Sequence, residues 1–488
     1  MFKSVRNFLL FISTITLTSC MVGPDFHSPA PPSTQKFTNQ NLPTKTSSSS
    51  VHGGNKQYFI NGQDIPGQWW SLFHSQVIND LVNTGIAHSP NLAAAEAALK
   101  EVQENYNSQW GTTYFPAITA QFIPQRQRFS GSEFGVANAP GNVFNLFNVQ
   151  ANISYNFDIF GGERRQLEAL AAQVDYQQYQ LTAAYLTLTA NIVTAAITEA
   201  SINGQITATL ALIQSQQNQL QIVQKQFNLG AASLSDVMTQ QTQLAQTQAT
   251  LPPLEKSLAI TRDSLAALVG AYPSEINVPP LNLNDLQLPS ELPVSLPSAL
   301  VQQRPDIKAQ EALLHVASAQ VGVATANLFP QLTLNGYYGY TATSLNNLFT
   351  PTANIWSISG ELLAPIFQGG SLIAKKRAAV DAYNQALAQY HETVIQAFQN
   401  VSDTLQALVI DANNLKAATL AAKSSHETLL LTEKQYALGA ASYLTLLNAQ
   451  RQDQQAIINL IQAQALRFND TAALFQALGG GWWNKEKN

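Results

Sequence analysis

A single cysteine, Cys20, stands in 488 residues, so no intrachain disulfide can brace the fold. Charge is also scarce, with Asp, Glu, Lys and Arg making up 11% of the chain. The net charge of −5 leaves no basic footprint for nucleic acid. Mean hydropathy is −0.05, and no run of about 18 apolar residues occurs, which argues against a helical membrane protein. Catalytic signatures are missing too: there is no Walker loop, no Gly-x-Ser-x-Gly and no His-Glu-x-x-His. His27, His52, His74 and His88 lie in or near the N-terminal segment, and His315, His391 and His426 fall singly on expected helices. None has metal-ligand spacing with another. The expectation is a chain that is not an enzyme and holds no metal or cofactor.

The first residues read as an export signal. Lys3 and Arg6 precede an apolar stretch from Phe8 to Leu17, the layout of a cleaved leader. Leu17-Thr18-Ser19-Cys20 then matches a bacterial lipobox, with Cys20 the lipidated first residue of the mature chain. Met21 follows rather than Asp, which fits sorting to the outer membrane. Such a lipid anchors and does not span.

The chain repeats itself. Phe227-Asn228-Leu229-Gly230-Ala231-Ala232-Ser233-Leu234 returns as Tyr436-Ala437-Leu438-Gly439-Ala440-Ala441-Ser442-Tyr443, an offset of 209 residues. Ser89-Pro90-Asn91 matches Arg304-Pro305-Asp306, Phe115-Pro116 matches Phe329-Pro330, and Ile159-Phe160-Gly161-Gly162 matches Ile366-Phe367-Gln368-Gly369-Gly370. The period is too long for a solenoid unit. Two pseudo-equivalent halves around a common axis are expected.

Within each half the apolar period changes. Val149, Ala151, Ile153, Tyr155, Phe157 and Ile159 alternate strictly with Gln150, Asn152, Ser154, Asn156 and Asp158. Ala117–Arg128, 332–341 and 355–366 alternate less strictly. Soluble strands usually run about 5–6 residues, whereas membrane-barrel strands need about 9–11. Aromatics in and around these segments, among them Phe129, Phe144, Phe147, Tyr337, Tyr338, Tyr340 and Trp356, also favour a membrane.

A very long helix is expected after each strand pair, over 163–229 and 371–438, each about 100 Å long at the helical rise. Return helices are expected over 234–269 and 443–478. Heptad seams run through Ile206, Leu210, Ile213, Gln217, Leu220, Gln224 and Phe227, and through Leu415, Ala418, Ala422, Ser425, Leu429, Thr432 and Tyr436. Pro252-Pro253 is expected to break the first return helix. The Pro-rich stretch 271–304 reads as an irregular belt. The divisions are a signal peptide (1–19), a lipidated extended segment (20–88), repeat 1 (89–270), the linker (271–304), repeat 2 (305–478) and a tail (479–488).

A sheet in lipid must close to pair its edges, and four strands are too few, since known barrels need about eight or more. Several chains must therefore share one barrel. Its polar strand faces would line water, making a hollow conduit.

The ordered set Cys20-Met21-Val22-Gly23-Pro24-Asp25-Phe26, Trp69-Trp70, Arg304-Pro305-Asp306-Ile307, the two Leu-Gly-Ala-Ala-Ser turns and Ala477-Leu478-Gly479-Gly480-Gly481-Trp482 resembles the outer membrane factor (TolC-like) family, in its lipoprotein branch. The resemblance implies a mainly α fold with transmembrane β: a homotrimer with a 12-stranded outer-membrane barrel, a periplasmic α-helical barrel and a mixed equatorial belt. It implies an exit duct that receives drugs or other small molecules from an inner-membrane RND-type transporter through a periplasmic adaptor protein. A duct for type I polypeptide secretion and a structural coiled-coil lipoprotein are the alternatives. Under the resemblance, Leu229, Gly230, Ala231 and Ser233, with Leu438, Gly439, Ala440 and Ser442, form the adaptor-contacting periplasmic tip. Asp236 and Tyr436 stand where a hydrogen bond between neighbouring helices would hold the aperture shut. Thr445 and Asn448 occupy positions where part of the family carries an acidic ring, leaving Asp236 and Asp453 as the nearest acids. Glu163-Arg164-Arg165 and Lys375-Lys376-Arg377 follow the Gly pairs, placed to meet lipid head groups.

Overall fold

The computed structural model describes residues 21–130 and 141–484. The signal segment and Cys20, with its expected lipid, lie outside the described residues. In chain order the elements are β1 (Tyr58–Asn61), α1 (Gln76–His88), α2 (Pro90–Tyr114), β2 (Ala117–Phe129), β3 (Asn142–Phe157), α3 (Gly162–Asn228), α4 (Leu234–Leu268), β4 (Glu291–Val294), α5 (Pro297–Gln303), α6 (Pro305–Ala326), β5 (Gln331–Ala342), β6 (Asn354–Leu363), α7 (Ser371–Ala437) and α8 (Tyr443–Ala477). They form two compact units. One takes in residues up to 29, 99–177 and 310–390; the other takes in 30–98, 178–309 and 391–488.

The first unit is built on a four-stranded antiparallel sheet in the order β2-β3-β5-β6. Its ladders run without a bulge, pairing Ala117 with Ser154, Ile153 with Gly336, and Gly336 with Ile358. Period-2 alternation therefore sorts side chains cleanly. Ile118, Phe122, Ile153, Tyr338, Trp356 and Ile358 share one face and are exposed. Thr119, Gln121, Gln150, Asn152 and Ser357 share the other. An apolar face left bare and a polar face opposite it invert the usual soluble arrangement and suit lipid outside, water inside. β3 starts at Asn142, earlier than the alternation suggests, because its ladder with β2 continues to the Phe129–Asn142 pair. β6 stops at Leu363, short of Ile366, because Pro365 cannot donate to a ladder.

The second unit is helical, with a small parallel pair of β1 and β4 that ties the N-terminal segment to the Pro-rich linker. Trp69, Trp70 and Phe73 are buried, and Trp69 stacks on Phe475 at 5.5 Å between ring centroids. Arg467 is buried and pairs with no carboxylate among the described residues. Its guanidinium donates to the carbonyls of Gly53 and Asn55, to Thr46 Oγ1 and to Gln57 Oε1. Burial pulls its pKa down to about 10. Arg304 Nη1 donates to Ala477 O at 2.9 Å, satisfying a C-terminal carbonyl of α8 with a cation, the favourable sign for that end.

Two sequence expectations need correction, the break at the prolines and the α3 seam. α4 runs unbroken through Pro252 and Pro253. Both prolines are exposed, as are Gln248 and Ala249, whose carbonyls lose donors, so water can take up those carbonyls. α3 carries an 18-residue window of mean hydropathy 1.4, hidden from run-counting by interspersed Thr and Asn. In this helix Ile192, Val193, Ala196, Ile197 and Ala200 are fully buried in the core. The α3 seam holds only in part: Ile213 is buried as expected, but Ile202, Gln205, Thr209, Gln216 and Val223 take the other buried positions, and Leu210 and Phe227 are 48% and 39% exposed. The α7 seam holds, with Leu415, Ala422 and Thr432 buried.

Candidate functional site

The two repeated turns fold alike. Gly230 and Gly439 take φ of 77° and 71°, the left-handed region that glycine enters without steric cost. Ala231 N donates to Gln226 O and Ala440 N to Gln435 O, each at 2.8 Å, closing both turns in Schellman fashion. Ser233 and Ser442 then cap α4 and α8, accepting from the backbone N–H of Asp236 and Thr445. Leu229 and Leu438 are each 84% exposed.

The expected Asp236–Tyr436 hydrogen bond is not formed within the chain. Asp236 turns back on its own helix start, accepting from Ser233 N at 2.9 Å and Ser233 Oγ at 2.7 Å. That reciprocal pair is a capping box, which satisfies the carboxylate locally. Tyr436 OH instead donates to Gln226 Oε1 at 3.2 Å. Burial first, then the Asp236 charge, pushes the Tyr436 phenol up, so it remains a donor at neutral pH. Thr445 is exposed and bonds the Ser442 hydroxyl at 2.8 Å; Asn448 is exposed. Asp453 is not a solvated acid: it is 7% exposed, accepts from Ser425 Oγ and faces His426.

Sequence reasoning missed the contacts that pin the two hairpins together. Val223, Val237 and Tyr443 form a small core, flanked by Leu220, Ala232 and Tyr436. Tyr443 OH donates to Gln240 Oε1, and Gln240 Nε2 donates to Gln216 O at 3.1 Å. Gln240 is fully buried. Arg451 reaches Gln243 Oε1 at 2.5 Å and Gln246 Oε1 at 3.2 Å. The bonds from Tyr443 and Arg451 join α8 of repeat 2 to α4 of repeat 1. Burial, then Tyr436 and Asp236, pushes the Tyr443 phenol up as well. The repeat held the clue: Tyr443 replaces Leu234, which is 55% exposed.

The same hairpins differ higher up. In repeat 1, buried Glu199 accepts from Arg262 at 3.0 and 2.8 Å, from Leu281 N and from Asn203. In repeat 2, Asp470 of α8 meets Asp411 of α7. Burial and that second carboxyl push Asp470 up to about 8.

In the first unit, Met21 to Ser28 lie in a made-to-fit seat. Val22 N donates to Phe160 O at 3.1 Å. Arg165 is 1% exposed and donates to Val22 O, Gly23 O, Asp25 and Glu168. Phe26 stacks on His315 at 4.3 Å, and Ser28 donates to Glu311. Arg164 pairs with Asp158 at 3.0 Å. Arg164 and Arg165 are thus internal ties rather than head-group contacts. Lys375 and Arg377 are exposed.

The chain matches the sequence profile described as outer membrane efflux protein over residues 81–271 and 296–480, one stretch for each repeat. The pyoverdine export outer membrane protein OpmQ of Pseudomonas putida is 28% identical over 429 residues, covering 86% of this chain and 89% of that protein. The probable efflux pump outer membrane protein TtgC of the same species is 27% identical, covering 98% and 96%. The structure of the outer-membrane channel OprN superposes with a TM-score of 0.84 at 25% identity, covering 95% of this chain and all of that one. The chain belongs to the outer membrane efflux protein family. With the family go the fold and role expected from the sequence: a homotrimeric outer-membrane channel of β-barrel and long helices, the efflux exit duct that pairs with an adaptor and an RND-type transporter. The family forms channels and is not one of enzymes.

Proposed function

We propose that the two turns form the periplasmic end of the duct, that contacts between the hairpins hold it closed, and that Leu229 and Leu438 present the adaptor surface. The observation that carries this reading is the 84% exposure of both leucines at the two turn apices. Set at the apices of two matched turns, they would gather in a trimer as six side chains at one end, and a contiguous apolar patch of that kind marks an interaction site. Gly230, Ala231, Gly439 and Ala440 give the turn backbone, with Ser233 and Ser442 as caps. Tyr436, Tyr443 and Arg451 join the hairpins, Asp236 stiffens the start of α4, and Thr445 and Asn448 leave the aperture without an acidic ring. Transport is passive and performs no covalent chemistry. Cys20 carries the lipid anchor, supported by the seating of Met21 and Val22 directly after it.

Leu229→Asp with Leu438→Asp tests the adaptor surface. Site-specific crosslinking to the adaptor should be lost while the trimer still assembles in the outer membrane. Retained crosslinking would remove the leucines from that role.

A further inference from the structure

The four strands carry three charged residues: Arg126, Arg128 and Glu361. Glu361 pairs in register with Thr333 on the polar face, near the helix end of the sheet. The two arginines are in the opposite register. They follow Ile118, Ala120, Phe122 and Pro124 on the apolar face and are exposed. Both lie at the loop end of β2, away from the junctions with α2 and α3. The loop between β5 and β6 at that end, 343–353, contains no charged residue, and the loop after β2 carries one acid, Glu133, outside the described residues.

Depth decides what these cations meet. Arg126 is eight positions beyond Ile118, and Arg128 ten. At about 3.3 Å per residue and a tilt of about 40°, they stand about 20 and 25 Å above Ile118 along the membrane normal. The apolar band of such barrels is about 25 Å tall. The apolar face starts at or below Ile118, with Phe157, Leu334 and Leu362 nearer the helix end, so both guanidiniums come at or beyond the outer boundary, where a charge costs little. Their Cα atoms are about 7 Å apart, a spacing that suits two anionic groups on one head.

We propose that Arg126 and Arg128 form a binding site for the phosphorylated glycolipid of the outer leaflet. Guanidinium forks match phosphate oxygens bidentately. Paired cations favour a head with several phosphates over a zwitterionic phospholipid, whose own ammonium competes. The inference rests on the outer-membrane placement of the chain.

The test is native mass spectrometry of the full-length protein in detergent, titrated with diphosphorylated lipid A and with its dephosphorylated form. The wild-type trimer should retain the diphosphorylated lipid, and Arg126→Gln with Arg128→Gln should weaken it at least about tenfold, the loss expected for charge-assisted hydrogen bonds. Lys375→Gln with Lys376→Gln, at the helix end, should leave it unchanged. If the double Gln variant does not assemble, Arg128→Gln alone carries the comparison. Equal retention by wild type and variant overturns the site. Equal competition by phosphatidylglycerol overturns the choice of glycolipid. A wild-type protein that is monomeric overturns the barrel placement itself, which the same spectra report separately.

Discussion

Tyr443→Phe removes one hydroxyl and little else. That hydroxyl donates to Gln240 Oε1, Gln240 is fully buried, and under the proposed gate this arrangement is the closed state. The substitution leaves a buried acceptor without a donor, which costs about 1–3 kcal/mol. Once the hairpins separate, water serves the same oxygen, so the cost falls on the closed state alone. At tenfold per 1.4 kcal/mol, the open-to-closed ratio should rise about 5- to 150-fold per chain. Arg451→Ala should act in the same direction, since Gln243 is 4% exposed and loses a charged donor. Single-channel recording in planar bilayers reads the ratio directly. Wild type should dwell closed, and Tyr443→Phe should show long or permanent openings. A variant with wild-type dwell times and a lowered melting temperature would refute the argument: Tyr443 would then hold the fold and not the gate.

Asp236→Ala should cost α4 about 1 kcal/mol through its cap, and combined with Tyr436→Phe it should raise conductance over wild type; unchanged conductance would remove both from the gate. Asp470 has a folded pKa raised to about 8, well above its unfolded value of about 3.9. The folded chain thus binds more protons between those limits, and stability should decline as pH rises from about 4 to 8, then level off. Asp470→Asn should flatten that slope and exceed wild type at pH 8 in thermal melts of the trimer; an unaltered slope would show that the pair does not share a proton. Gly23 takes φ of 96°, and a Cβ there would lie 2.4 Å from Gly322 Cα. Gly23→Ala should therefore unseat the segment and expose residues 21–28 to protease, and continued protection would show that Arg165 holds the segment without that close approach.

Much of the architecture was legible because it is periodic. The alternation at 149–157 marks β3, and the repeated turn fixes where both long helices reverse. The α7 seam was readable since Leu415, Ala422 and Thr432 hold one face. The α3 seam was readable only in part, at Ile213. Leu210 and Phe227 look like core residues, yet other buried positions are taken by Gln205, Thr209 and Gln216, whose small or polar side chains carry no hydrophobic signal. Asp236 could have been read correctly: Ser233-x-x-Asp236 is a capping-box spacing, which already accounts for the carboxylate. The Arg165 seat was beyond reach, because its partners Val22, Gly23 and Asp25 lie in a segment whose composition reads as a tether. The prolines of α4 were misjudged because propensity ignores which face of a coil is exposed.

The central claim is that one chain supplies a third of a closed barrel. β2 and β6 are the free edges of the four-stranded sheet, and in lipid they must find partners on other copies. The direct test is the native mass of full-length protein extracted from outer membranes, with Cys20→Ala as the control for lipid. Three chains carrying lipid mass that the control lacks is the predicted result. A lipid-free monomer would contradict both the shared barrel and the anchor.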